Sequence, residues 1–197
     1  MAIKGMRRAS RRRAVVIIKD PEMIKLLADF TRAEILRLLS DRPMTETQLS
    51  SKLGLTKAAV GYHLHLLERG GLIEISRVEA EEHGILQKYY SAIAALFIVD
   101  PDFMPDDVKR YFLKTQMEHL RGMFSVFRLH DQIFEVSSKD MEELAVAMMR
   151  QLKVVGERYA GEFVEDGDAE TLRVKIYAEA LANLTRQREW SKILRSA

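Results

Sequence analysis

The chain has 197 residues, of which 47% are apolar and 30% charged, and these values suit one large or two small globular domains. It contains no Cys, which excludes disulfides, thiolate metal sites and cysteine nucleophiles. No stretch approaches the ~18 consecutive apolar residues of a membrane span, and the Arg-rich start lacks the apolar segment of a signal peptide. We therefore expect a cytoplasmic protein with no membrane partner.

The net charge of +2 conceals an asymmetry along the chain. Residues 1–13 carry only basic charges, whereas residues 14–100 and 101–197 each hold slightly more acidic than basic side chains. An isolated basic run of this kind is typical of a flexible arm attracted to phosphate backbones, and a solubilising tail is the alternative. The arginines predicted to contact phosphates are Arg7, Arg8, Arg11, Arg12 and Arg13.

The segment after this arm contains a short β-branched run and two predicted helices. Residues 15–18 form either an edge strand or, as we prefer, an apolar lead-in that packs on the core. Pro21 suits the first position of a helix. Thr31 and Glu34 have the spacing of a capping box, which predicts a second helix over residues 32–40.

Residues 44–71 predict two short helices separated by a sharp turn. Thr45 and Gln48 form a capping-box pattern that opens the first helix, and Gly54 closes it. Thr56 caps the second helix, whose predicted buried stripe consists of Val60, Leu64 and Leu67. This is the helix-turn-helix arrangement, and its second helix can enter a DNA major groove about 12 Å wide.

Beyond residue 71 the apolar period changes from helical to alternating. Residues 72–78 and 85–91 predict two strands joined through residues 81–84, and so a β-hairpin. A hairpin directly after a helix-turn-helix is the wing of a winged helix.

These segments together resemble the ArsR-type winged-helix transcriptional regulators. The resemblance rests on residues 27–36, 49–55, 60–67 and 71–73, which match in order and spacing, and it covers roughly residues 20–92. It implies a winged-helix fold and binding to double-stranded DNA.

Metal sensing, as some members of that family perform it, is not expected. Their cysteine-bearing motif has no counterpart, because the chain has no Cys. A second family site uses carboxylates and histidines on a C-terminal helix, but Glu118, His119 and His130 do not have the spacing of a ligand set. We expect neither a metal nor a cofactor.

The predicted DNA contacts lie mainly on the face of the second helix opposite its buried stripe. Base-edge and groove contacts are predicted for Thr56, Lys57, Ala58, Ala59, Tyr62, His63 and His65. Phosphate contacts are predicted for Gln48 and Lys52 on the preceding helix and for Arg77 and Lys88 on the wing. The alternative is a solvated surface helix, and the acidic residues Glu79, Glu81 and Glu82 near the wing tip oppose DNA contact there.

The chain after Asp100 has a different pattern. A helix is predicted over residues 105–129, a second from Ser137 or Ser138, and a third from Ala169, with a strand at residues 172–176 as an alternative. Heptad-like spacing predicts a dimer seam of Leu113, Met117, Leu120, Phe124, Met141, Met148, Leu152 and Val155. The same helices could instead fold back within one chain.

The predicted protein is mainly α with a β-hairpin wing. Its parts are a basic arm (1–13), a winged-helix domain (14–100) and a helical dimerisation or effector region (101–197). We expect a homodimeric, sequence-specific DNA-binding transcriptional regulator, and the alternative is a module that uses the winged helix to contact the transcription machinery. No enzyme motif is present. A small-molecule effector stays open, because Met and Phe side chains of the C-terminal half form either an adaptable pocket or a core. These residues are Met117, Met123, Met148, Met149, Phe112, Phe124 and Phe127.

Overall fold

The computed structural model of the protein describes residues 11–80, 85–128 and 137–190. The N-terminal half contains β1 (Arg12–Ile18), α1 (Pro21–Leu27), α2 (Phe30–Asp41), β2 (Met44–Thr45), α3 (Glu46–Leu53), α4 (Lys57–Arg69), β3 (Ile73–Ala80), β4 (Leu86–Ala92) and β5 (Ala94–Val99). A 3-10 turn (Pro101–Phe103) then leads into α5 (Asp106–Arg128), α6 (Ser138–Tyr159), β6 (Phe163–Val164) and α7 (Ala169–Thr185). The predicted fold class, a winged helix followed by a helical region, is confirmed. Among the described helices none is long and apolar enough to cross a membrane.

The wing is the predicted hairpin with one additional strand. β4 pairs with β3 on one side and with the two-residue β2 on the other, both antiparallel. The register between β3 and β4 shifts between Ile75 and Arg77, which marks an irregularity in the hairpin. β2 was not predicted from the sequence, because two residues are too few to show an alternating pattern.

Residues 15–18 belong to a central strand, so the preferred interpretation as an apolar lead-in is wrong. β1 lies between β5, to which it is parallel, and β6, to which it is antiparallel. The whole winged helix is the connection between the parallel strands β1 and β5. Both faces of such a strand are buried, so its sequence is a continuous apolar run instead of an alternating one.

The β5-β1-β6 sheet separates two hydrophobic cores. One core receives Val15, Ile17, Leu96 and Ile98 and is completed by α5, α6 and α7. The other receives Val16, Ile18, Phe97 and Val99 and is the core of the winged helix. α6 lies close against the sheet at Gly156, where an added Cβ would be 2.4 Å from Ile98 Cδ1. The predicted boundary at residue 100 therefore falls between two regions that share a sheet.

Side-chain caps fix where several helices begin. Pro21 occupies the first turn of α1, as predicted, and Asp20 caps this helix. α2 begins two residues before the predicted start, because Asp29 accepts a hydrogen bond from the Arg32 backbone nitrogen at 2.8 Å. Ser137 caps α6. The segment from Ala169 is a helix, so the strand alternative at residues 172–176 is wrong.

Most of the predicted dimer seam lies inside a single chain, which corrects that prediction. Six of its side chains are buried in the core formed by α5, α6, α7 and the sheet: Leu120, Phe124, Met141, Met148, Leu152 and Val155. Met117 is partly buried against the same core, and Leu113 is half-buried. The helices fold back on each other, because the shared sheet gives their apolar faces a surface to cover.

Candidate nucleic-acid interface

The turn between α3 and α4 has the geometry predicted for a helix-turn-helix. Thr45 and Gln48 form a complete capping box, in which Gln48 Oε1 accepts from the Thr45 backbone nitrogen at 3.0 Å and Thr45 Oγ1 accepts from the Gln48 backbone nitrogen at 3.2 Å. Gly54 ends α3 in the left-handed conformation with φ of 65°. Thr56 Oγ1 then accepts from the Ala59 backbone nitrogen at 3.2 Å and caps α4. These caps fix the direction in which α4 leaves the turn.

α4 is held by its inner face and presents its outer face to solvent. Val60, Leu64 and Leu67 are at most 1% exposed. The opposite face carries exposed residues, namely Thr56, Lys57, Ala58, Tyr62 and His65. Tyr62 has 61% of its surface exposed. This arrangement offers donors and one aromatic ring to a groove while the helix itself stays anchored.

Three residues of α4 lie between these two faces. Ala59 is half-buried, and so is His63, whose Nδ1 is buried without a hydrogen-bond partner among the described residues. The His63 ring meets the Tyr62 ring edge-on with centroids 5.5 Å apart. Gly61 faces α3, where an added Cβ would lie 3.4 Å from Glu46 Oε1. His63 is therefore placed to support Tyr62 more directly than to reach a base.

The predicted phosphate contacts on α3 are exposed. Gln48 uses its side-chain oxygen in the capping box, which leaves the amide NH₂ group as its donor. Lys52 lies in the last turn of α3. Both side chains are exposed on the helix that precedes α4. A duplex seated on α4 would therefore find donors for its backbone on α3.

The two predicted cations of the wing have different environments. Arg77 is half-buried, with its guanidinium 3.7 Å from the Tyr89 ring centroid and its Nε donating to Glu79 Oε1 at 2.7 Å. These contacts argue against the predicted role of Arg77 in phosphate binding. Lys88 is exposed and lies opposite Val78 in the hairpin register. Glu81 and Glu82 lie outside the described residues.

The described end of the predicted arm is part of the fold. Arg12 is 4% exposed, donates to the Leu39 carbonyl oxygen and forms an ion pair with Asp166. It cannot contact phosphate from this position, so the arm ends before Arg12. Arg11 and Arg13 are exposed, and Arg11 lies over the Phe163 ring. Arg7 and Arg8 lie outside the described residues.

The wing also carries exposed apolar side chains that the sequence analysis did not single out. Ile75 and Val78 on β3 are 36% and 50% exposed, and Ile85 and Leu86 on the returning side are 62% and 69% exposed. Ile85 and Leu86 are adjacent, and successive side chains of an extended chain point to opposite faces, so apolar side chains are exposed on both faces of the hairpin near its tip. Among the described residues no group of three or more His, Asp or Glu side chains could hold a metal.

Comparison with known proteins matches part of the chain to a family model and to solved structures. Residues 27–76 match a family model described as a helix-turn-helix domain. The structure of reduced HlyU from Vibrio cholerae N16961 is 27% identical, with a TM-score of 0.32, over 45% of this chain and 75% of that one. The transcriptional regulator HlyU from Vibrio vulnificus CMCP6 is 25% identical, with a TM-score of 0.30, over 45% of this chain and 74% of that one. No curated protein matches the sequence.

The family match covers α2, α3, α4 and the start of β3, in which the capped turn and the exposed face of α4 were found. In the helix-turn-helix motif of DNA-binding proteins, the second helix lies in the major groove. Residues 27–76 are therefore similar to the helix-turn-helix domain that this family model describes.

Proposed function

We propose that the protein is a transcriptional regulator that binds double-stranded DNA by placing α4 in the major groove. The observation that supports this most directly is the division of α4 into a buried stripe and an exposed face with Lys57, Tyr62 and His65. Lys57 and His65 can donate to guanine acceptors or phosphates, and Ala58 can contact a thymine methyl group. The exposed donors of α3 would set the register on the backbone.

Binding to duplex DNA at several salt concentrations tests the role of α4. Lys57→Ala should weaken binding and lower the slope of log affinity against log salt by about one, because one phosphate contact is lost. Lys109→Ala is the matched control, since it removes the same charge from an exposed position at the start of α5. Equal effects of the two substitutions, or binding that does not depend on salt, would contradict the proposal.

Sequence specificity and a homodimer are part of the same proposal. Two copies related by a twofold axis would present two α4 helices to half-sites about 34 Å apart along the duplex. Selection of bound sequences from a random duplex library should yield an inverted repeat with that spacing. An isolated half-site would indicate a monomer, and no enriched sequence would indicate backbone binding alone.

A second function is favoured by the exposed apolar wing. Val78, Ile85 and Leu86 are each at least half exposed, and apolar side chains of this kind suit contact with another protein better than contact with phosphates. The winged helix would then be a docking module for the transcription machinery. Replacing Val78 and Leu86 with Ser should leave DNA affinity unchanged if the wing serves a protein partner, and should lower it if the wing enters the groove.

A further inference from the structure

A cavity of about 420 Å³ lies between the winged helix and the C-terminal helices. It is bounded by α2 on one side, by α5 and α7 on the other, and by β5 beneath. Its volume falls in the range of small-molecule pockets, about 300–1,000 Å³. Neither of the two hydrophobic cores fills it, although residues of both cores contribute to its wall.

Most of the wall is apolar. The side chains that form it include Leu27, Leu36, Phe97, Val99, Phe112 and Met149. The predicted Met-rich pocket is thus realised only in part. Phe112 and Met149 line the cavity, whereas Met148 is fully buried in the core. An occupant must therefore have an apolar body.

Gln116 is the polar group that distinguishes this cavity from a packing defect. It lines the cavity from the middle of α5 and is 5% exposed, yet its side-chain nitrogen has no hydrogen-bond partner among the described residues. A buried donor without a partner costs about 1–3 kcal/mol, so the position of this donor calls for an explanation. An oxygen atom of a bound molecule would satisfy it.

Two guanidinium groups lie at the wall of the cavity. Arg37 from α2 and Arg173 from α7 both line it, and none of its described lining residues is Asp or Glu. Each arginine is paired with a carboxylate of its own helix, Arg37 with Glu34 at 2.6 Å and Arg173 with Glu170. A guanidinium has five N–H donors, so each can also serve an anionic occupant. Burial raises the pKa of Tyr177, which keeps this lining phenol a neutral donor.

We propose that this cavity binds a small amphipathic carboxylate, whose apolar body contacts the α2–α5 wall and whose carboxylate accepts a hydrogen bond from Gln116. The site combines elements of the winged helix with elements of the C-terminal region. Its occupation does not require DNA binding, so the two proposals can fail separately.

Isothermal titration of the full chain with decanoate and with decan-1-ol tests the proposal without DNA. The two probes share one hydrocarbon chain and differ in the carboxylate. Wild-type protein should bind decanoate with saturation below about 1 mM and should bind decan-1-ol more weakly. Gln116→Met keeps the side-chain volume and removes the donor, so decanoate affinity should fall about tenfold, or ~1.4 kcal/mol, while decan-1-ol affinity changes little.

Two further measurements check the fold of Gln116→Met and the location of the binding site. Unliganded Gln116→Met should unfold at the same or a higher temperature than wild type, because it loses an unpartnered buried donor. Ala33→Phe, which places a ring in the cavity from α2, should abolish binding of both probes. Three results would overturn the proposal: no saturable decanoate binding by wild type, equal affinity of wild type for both probes, or equal decanoate affinity of wild type and Gln116→Met.

Discussion

Arg12 and Arg13 are adjacent cations with opposite environments. From the sequence they are equivalent members of a basic run, and both were predicted to contact phosphates. The strand alternation of β1 places Arg12 inside, against the Leu39 carbonyl oxygen and Asp166, and Arg13 outside. The difference depends on Asp166, which lies 154 positions away, so no local pattern reveals it.

Replacing these arginines one at a time should separate structure from DNA binding. Arg12→Met should lower the free energy of unfolding by about 3 kcal/mol, because Asp166 and the Leu39 carbonyl oxygen lose their buried partner. Arg13→Met should change it by less than about 0.5 kcal/mol, as surface substitutions usually do. Urea denaturation measures both. Equal stabilities of the two variants would show that the contacts of Arg12 do not stabilise the fold.

The role of Gly54 as the left-handed residue that ends α3 was predictable from the sequence alone. It adopts φ of 65°, and nothing lies within 4 Å of an added Cβ, so the cost of a side chain comes from the backbone alone. Gly54→Ala should therefore destabilise the protein by about 1 kcal/mol. Gly122→Ala has equal space inside α5 but lacks a positive φ, and it should stabilise the protein by about 0.5–1 kcal/mol. If both substitutions shifted the unfolding temperature in the same direction, this explanation of the turn would be refuted.

At the scale of elements, features that depend on residues close together in sequence were predicted, and features that depend on distant residues were not. The capping box at Thr45, the left-handed Gly54 and the stripe of α4 involve residues within a few positions of one another, so their patterns are visible in the sequence. The pairing of β1 with β5 joins Val15 to Leu96, and both strands are apolar on each face, so neither periodicity nor turn residues mark it. The environment of Arg77 depends likewise on Tyr89 in the partner strand.

The start of β1 at Arg12 limits how much of the arm can be deleted without shortening a strand of the sheet. Removal of residues 2–13 would delete the start of β1, whereas removal of residues 2–10 leaves the strand intact. The shorter deletion removes Lys4, Arg7 and Arg8, so we expect the slope of log affinity against log salt on duplex DNA to become shallower by about 2.7. Fluorescence anisotropy at several salt concentrations measures this. An unchanged slope would show that the arm is a solubilising tail.

At the scale of the whole molecule, the shared β5-β1-β6 sheet makes the two halves of the chain mutually dependent. The winged helix buries Val16 and Ile18 from one face of β1, and the C-terminal helices bury Val15 from the other face. Neither half can cover both faces of the sheet without the other. Six side chains of the predicted seam are buried within one chain, so we expect a homodimer to use other surfaces.

Met148 on α6 is a member of the predicted seam that is buried within its own chain. Met148 is 0% exposed, and Met148→Ala should lower the free energy of unfolding by about 2–5 kcal/mol through the cavity that it leaves. Because Met148 packs within its own chain, the substitution should not change the mass measured by light scattering at concentrations where the variant is folded. Val154→Ala, on the same helix but 50% exposed, is the matched control and should have little effect on unfolding. If Met148→Ala instead converted a dimer to folded monomers, the seam would lie between two chains.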